Sequence, residues 1–480
     1  MREPTQTEVR RALDQGLDGL RPPGRVVVVG AGLAGLGTAY ELTRLGCDVT
    51  VLEASTRAGG RAYTVREPFA DGLYAEAGAM TVTPHCHYVT HYLKELGVGL
   101  EPSDLLDADF SYFLGSRFVR PDVADLADSG LPLSGEEKGL DVGMMMERYV
   151  RSLCRELQPD LGTPEWEVTD RLAPFDDRSV IEVLKERGAS DAAITLLEPM
   201  FLEMRGGDLD TASALSWLRH ESGPRSLTLA DARWAKIRGG TDRFPAAFAD
   251  RLRDRIHYAK PVVRVTQDGT AARVTFVDSG GFHTLEADRV VLAVPFSAMR
   301  RIDLSNAGLS PAKHAAIRRL RYVSIVRVYL QMRRRFWTSP RASVSTDLPI
   351  RWVRDATPQL PGPRAVLECL MSGWRAKAVT AMPPDERVRF TLEQVERIFP
   401  GAKDHFEVGT SVAWDREPYI EGAYILPEVG HTALMPDMRR PEGRVHFAGE
   451  HTAFEPNGGS MTYALESAVR AVLELGSSQA

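Results

Sequence analysis

Arg25-Val26-Val27-Val28-Val29-Gly30-Ala31-Gly32-Leu33-Ala34-Gly35, joined by a helical stretch to Asp48-Val49-Thr50-Val51-Leu52-Glu53, is the segment whose reading decides the fold. Four successive β-branched residues without polar alternation suit a strand covered on both faces of a parallel sheet. Three glycines follow at G-x-G-x-x-G spacing, and an apparent helix runs from Leu36 to Leu45. Each glycine has a steric task. The first permits a tight turn, the second lets a pyrophosphate approach the backbone, and the third allows close packing of strand on helix. The helix start adds unpaired N–H donors and partial positive charge. Gly30, Gly32, Leu33, Ala34 and Gly35 are therefore candidate binding residues. Glu53, at the end of the second strand, can accept hydrogen bonds from both hydroxyls of an adenosine ribose. Strand, glycines, helix, strand and acid in this order predict a dinucleotide-binding βαβ unit.

The chain continues from the acid as Glu53-Ala54-Ser55-Thr56-Arg57-Ala58-Gly59-Gly60-Arg61. Two glycines let the backbone pass close to a bulky ligand, and two arginines can neutralise a diphosphate. Surface charges on a turn are the plain alternative. The run resembles the flavin-dependent amine oxidase superfamily, which includes monoamine, polyamine and L-amino-acid oxidases, and the resemblance extends from Val26 to about Val472. It implies an α/β, two-domain FAD-dependent amine oxidase fold. A Rossmann-type FAD-binding domain would come from 1–90, 225–300 and 440–480. A substrate domain of mixed sheet and helices would come from 91–224 and 301–439, with a helical part at about 101–220.

The same resemblance assigns roles along the chain. Ala54, Gly60, Arg61, Gly78, Ala79 and Met80 would bind the FAD. Pro261-Val262-Val263 is similar to the strand whose backbone holds adenine, which implicates Val262 and Val263. Trp414-Asp415-Arg416-Glu417-Pro418-Tyr419-Ile420-Glu421-Gly422-Ala423-Tyr424 matches the family's aromatic run beside the isoalloxazine. That places Trp414, Ala423 and Tyr424 at the cofactor and makes Tyr419 a candidate catalytic residue, against the simpler reading of a packed aromatic loop. Phe447-Ala448-Gly449-Glu450-His451-Thr452 matches the second flavin signature through Gly449 and Glu450. Ser460 and Met461 lead into a closing helix from about Thr462 to Leu475, whose first amides can stabilise charge at the flavin N1–C2=O edge. Arg238-Gly239-Gly240-Thr241 looks like the family's glycine pair, or equally a helix-start turn.

Four departures narrow the reading. Ala423 stands where monoamine oxidases carry a flavin-bonded cysteine, so the FAD is expected to be non-covalent. Thr81 follows Gly78-Ala79-Met80 where L-amino-acid oxidases place a carboxylate-gripping arginine, so a free amino acid is disfavoured unless another arginine substitutes. Ser460 replaces an aromatic cage residue and leaves room for a bulkier or less basic substrate. Arg327 aligns with the family's lysine near flavin N5; arginine stays protonated and is a poor base, and a surface arginine on an alternating strand is the alternative. With Arg327 at N5, Glu76 becomes the candidate proton acceptor, or else a capping or ion-paired carboxylate.

These features point to an oxidase acting on a C–N bond of a bulky amine or amide, such as a secondary-metabolite intermediate, with O2 as acceptor. An L-amino-acid oxidase, a C–C flavin dehydrogenase and a non-catalytic flavin scaffold are the rivals. Length allows two to three domains of about 150 residues. A net charge of −6 argues against nucleic acid as a partner. Cys47, Cys86, Cys154 and Cys369 show neither disulfide nor metal-ligand spacing, and no apolar run suits a membrane span or leader. A cytoplasmic protein without metal or membrane partner is expected, with a homodimer left open.

Overall fold

A computed structural model describes residues 3–17, 19–21, 24–103, 110–162, 168–205, 208–222, 234–337, 343–454 and 459–477. The valine run forms the strand Arg25–Val29 in the middle of a five-stranded parallel sheet. Its strands lie in the order Val445–Phe447, Arg289–Leu292, Arg25–Val29, Asp48–Leu52 and Ile256–His257. Val26 and Val28 enter one core with the helices Leu33–Arg44 and Met461–Ser477. Val27 and Val29 enter another, shared with a three-stranded antiparallel sheet over residues 262–287. Burial on both faces is why the run shows no polar alternation. The helix expected from Leu36 begins at Leu33, so the third glycine lies within its first turn.

A second sheet has seven strands: Phe406–Ala413, Ile325–Met332, Ala365–Ser372, Trp352–Asp355, Val344–Thr346, Ser111–Leu114 and Arg117–Val119. Tyr329, Trp352 and Leu370 pack on one side with Leu196 and Trp217, while Val326, Val328 and Leu330 pack on the other with Val379 and Val395. All eight residues of Ile325–Met332 are buried, so Arg327 is an interior side chain and not the surface arginine of an alternating strand. The region expected to be helical over about 101–220 also supplies two strands to this sheet. Gly115 and Ser116 both take positive φ, as a two-residue hairpin turn requires, and Ser111–Leu114 pairs back with Arg117–Val119. Among the described residues, no helix is long and apolar enough to cross a membrane, and no His/Cys/Asp/Glu group could hold a metal.

Candidate active site

The end that carries the first glycine turn is built from backbone. Gly30 takes φ +101° and donates to Leu52 O at 2.8 Å. A Cβ on Gly35 would stand 1.9 Å from Gly30 O, so no other residue fits without shifting the turn, whereas Gly32 faces open space. Gly59 donates to Ala31 O at 2.8 Å and brings Gly60 against Gly32 Cα. The two glycine turns therefore lie face to face. Glu53 is tied to the first turn, since Ala31 N–H donates to one carboxylate oxygen at 2.6 Å and Ser55 N–H to the other at 2.8 Å. Ala54 sits between these residues. Lys260 N–H donates to Glu53 O at 2.8 Å, which holds the half-buried Val262 and Val263 near the acid.

The middle is a charged clasp. Arg61 Nη1 donates to Glu450 Oε1 at 2.9 Å and to Ala423 O at 2.6 Å. Burial raises the pKa of Glu450, while Arg61 and the backbone N–H of Ile425 oppose that rise. Gly449 N–H is held by Ser467 Oγ of the last helix at 2.8 Å. That helix starts at Met461, directly after Ser460, and its preceding Gly459 presses on Tyr424 so closely that a Cβ would lie 2.4 Å from the ring. Tyr424 is thus fixed at the helix entrance.

At the far end, Gly78 passes between Arg61 O and Trp414; a Cβ there would meet them at 1.8 and 3.3 Å. Trp414 Nε1 donates to Ala77 O at 2.9 Å, and Ala79 N–H to Arg61 O at 3.3 Å. Arg327 Nη1 and the Tyr329 hydroxyl both donate to the carbonyl of Glu76, each at 2.8 Å. Arg327 and Glu76 are therefore neighbours, but through the Glu76 backbone.

The side chains of two candidate catalytic residues, Glu76 and Tyr419, point away from Arg327. The Glu76 carboxylate does not face Arg327; it accepts from Thr64 Oγ1 at 2.8 Å and Thr241 N–H at 3.0 Å, beneath the Gly239-Gly240 turn. Adjacent backbone carbonyl and side chain leave a strand in different directions, so one residue serves two sides. Burial pushes this carboxyl up to about 7, with both hydrogen bonds pulling the other way. Tyr419 is 44% exposed on a turn where it and Glu421 both take positive φ, whereas Trp414 and Ala423 are buried and Tyr424 half-buried. The aromatic run coils away from the site at that point.

Glu368 and Arg354 escaped the sequence reading. Glu368 Oε1 lies 3.0 Å from Arg327 Nη1, and its Oε2 accepts from Arg354 Nε at 2.9 Å and Nη2 at 2.7 Å. Arg354 Nη2 also touches Met80 Sδ at 2.8 Å. The available signal was a single acid inside the apolar run Ala365-Val366-Leu367-Glu368-Cys369-Leu370-Met371, because an unpaired carboxylate is rarely left in such a place.

The profile of the flavin containing amine oxidoreductase family matches residues 33–475. The chain belongs to that family. Among relatives of this flavin amine oxidoreductase, YobN of Bacillus subtilis (strain 168), provisionally named an L-amino-acid oxidase, is 29% identical, with 97% of each chain covered. The L-amino-acid oxidase of Siganus canaliculatus is 28% identical over 99% of this chain and 89% of its own. Among solved structures, cyclohexylamine oxidase from Brevibacterium oxydans IH-35A superposes with a TM-score of 0.78 at 23% identity, covering 95% of this chain and 99% of that one. Putrescine oxidase bound to putrescine gives 0.76 at 23% identity, covering 95% and 98%. At that identity the structures establish the shared two-domain fold. The residues present fit a flavin dinucleotide: the Gly32 face is open and the first-turn amides of Leu33–Arg44 have no intrahelical acceptors.

Proposed function

We propose that this enzyme oxidises the CH–NH bond of a bulky amine or amide, using non-covalent FAD and O2. The observation that carries the reading is the unbroken contact path from Glu53 through Ala31, Gly59, Arg61 and Gly78 to the Glu76 carbonyl and Arg327. A flavin bound along it supplies the redox chemistry, taking a hydride from the carbon that bears nitrogen, which leaves an imine or iminium, and reducing O2 to H2O2.

The protein's own part is to bind, orient and polarise. Glu53 with Val262 and Val263 would hold the adenosine, and the glycine turns with Arg61 the diphosphate. Trp414, Gly78 and Tyr424 would border the ring. Burial works against the charge on Arg327, but Glu368 together with Tyr329 and Tyr424 outweighs it and keeps the pKa above the ordinary arginine value. Arg327 thus donates hydrogen bonds and does not accept the substrate proton, so the amine must arrive neutral or lose its proton to water. Ser460 and Thr81 leave space that aromatic and arginine side chains would fill, which favours a bulky substrate. Oxidation of an amino acid is the second reading, favoured by the buried Arg354.

The test is anaerobic mixing of the holoenzyme with a library of amines, amides and amino acids, watching loss of the oxidised flavin absorption, then peroxide on admitting O2. Flavin that stays oxidised with every class would refute the oxidase reading.

A further inference from the structure

Across the seven-stranded sheet, Arg327 lies opposite Leu370 and Leu370 opposite Trp352, while Glu368 lies between Tyr329 and Arg354. Residues two apart on a strand share a face, so Arg327, Glu368, Arg354 and Trp352 stand on one side of the sheet. Arg327, Arg354 and Glu368 are only 8%, 3% and 2% exposed. One carboxylate is shared by two guanidinium groups, which leaves one positive charge over. Of the nearby acids, Asp355 is paired with Arg335 and Glu198 with Arg351, while the Glu76 carboxylate is turned away to Thr64 and Thr241.

The donors are unmet as well. Among the described residues, Arg354 Nη1, Arg327 Nε and Trp352 Nε1 are buried with no hydrogen-bond partner. This wall adjoins the flavin loop, because Arg354 touches Met80, two residues beyond Gly78. A buried cation with unused N–H groups is unfavourable until an anion completes it.

We propose that Arg354, with Arg327 beside it, forms a subsite for a carboxylate carried by the substrate. The inference rests on the C–N oxidation reading above and narrows it: the substrate is an amine that also bears an acid, gripped from the sheet and not from the loop position held by Thr81. Amino acids return as members of that class. The same surplus charge disfavours an ammonium group nearby, and so promotes the neutral amine whose lone pair supports loss of hydride from the adjacent carbon. A diamine, with its second ammonium, is disfavoured by the same field.

The holoenzyme is to be titrated with benzoate, 3-phenylpropionate and octanoate and with the matching carboxamides, following the visible absorption of the bound flavin. The carboxylates are expected to bind at least ~30-fold more tightly than the amides, as a charge-assisted pair implies. Arg354→Met should bring that ratio close to one with flavin content unchanged, and Arg354→Lys should keep part of it. In turnover, amines bearing a carboxylate should exceed their decarboxylated counterparts by a similar factor. Equal binding of acids and amides by the unaltered holoenzyme would overturn the subsite, as would full acid preference in a flavin-replete Arg354→Met. Should that variant fail to bind flavin, the acid-to-amide comparison on the unaltered holoenzyme decides. Acid preference with no reduction by any amine would keep the subsite and refute the oxidase reading. Equal reduction by amines with and without an acid group would do the reverse.

Discussion

Replacing Glu76 by glutamine tests how the Gly78 strand is anchored. Its carboxyl is bound to Thr64 Oγ1 and Thr241 N–H, and burial raises its pKa from 4.5 to about 7. A raised pKa means that the folded protein keeps a proton which the unfolded chain has already released. The stabilisation is therefore complete below pH 4.5 and is lost as pH rises through 7. At about 1.4 kcal/mol per unit, the shift sets a ceiling of about 3 kcal/mol. Glutamine imitates the neutral form, because its amide oxygen can still accept from Thr241 while Thr64 turns its hydroxyl to accept from the amide nitrogen. Wild type and Glu76→Gln should thus be equally stable near pH 4.5, with the variant gaining as pH rises to 8.5. For a chain of this length that amounts to at most about 3 °C in melting temperature. Parallel thermal melts of the two holoproteins from pH 4.5 to 8.5 measure the gap directly. A gap that stays constant across this range would show that Glu76 does not titrate inside the fold, and the burial argument would fail.

Gly78→Ala should lose at least ~100-fold in flavin affinity because its Cβ would lie 1.8 Å from Arg61 O, a clash that displaces the loop; equilibrium dialysis against FAD measures it. Heat or acid precipitation should release all the yellow cofactor, since Ala423 offers no nucleophile, and colour retained on the pellet would contradict this. Arg327→Met should slow flavin reduction or reoxidation at least ~10-fold with flavin content preserved, as expected for a charge oriented at the reacting end; separate stopped-flow measurements of the two half-reactions give the answer.

The nucleotide cradle was legible because its signal is local. Four valines, three glycines at fixed spacing and an acid on the next strand each report a steric demand met within thirty residues, as the 1.9 Å approach of a Gly35 Cβ to Gly30 O makes plain. Other parts depend on contacts that sequence spacing does not encode. The strands at Ser111–Leu114 and Arg117–Val119 lie in a stretch dominated by helical patterns, and their turn uses Ser116 in a positive-φ conformation that a serine does not advertise. Tyr419 and Tyr424 share one motif, yet positive φ at Tyr419, Glu421 and Gly422 turns the first outward and the second in. Glu76 meets Arg327 through its backbone carbonyl, and which of its polar groups faces Arg327 is set by the short strand Ala75–Glu76 pairing with Thr64–Val65.

The charge count at Arg327 is the clearest case of information held only in register. Arg327, Arg354 and Glu368 belong to three strands, and each alone reads as a charge interrupting an apolar run. Antiparallel pairing of Ile325–Met332 with Ala365–Ser372, and of the latter with Trp352–Asp355, brings them onto one face. A slip of one residue between Ile325–Met332 and Ala365–Ser372 would put Glu368 on the opposite face from Arg327, and a slip of the outer strand Trp352–Asp355 would take Arg354 away from Glu368. The sheet register therefore fixes both the surplus positive charge and its position next to Met80. That links substrate selection to the packing of the sheet: a substitution that loosens the outer pairing should alter which substrates are accepted before it alters whether flavin is bound, because the glycine cradle sits on the other sheet.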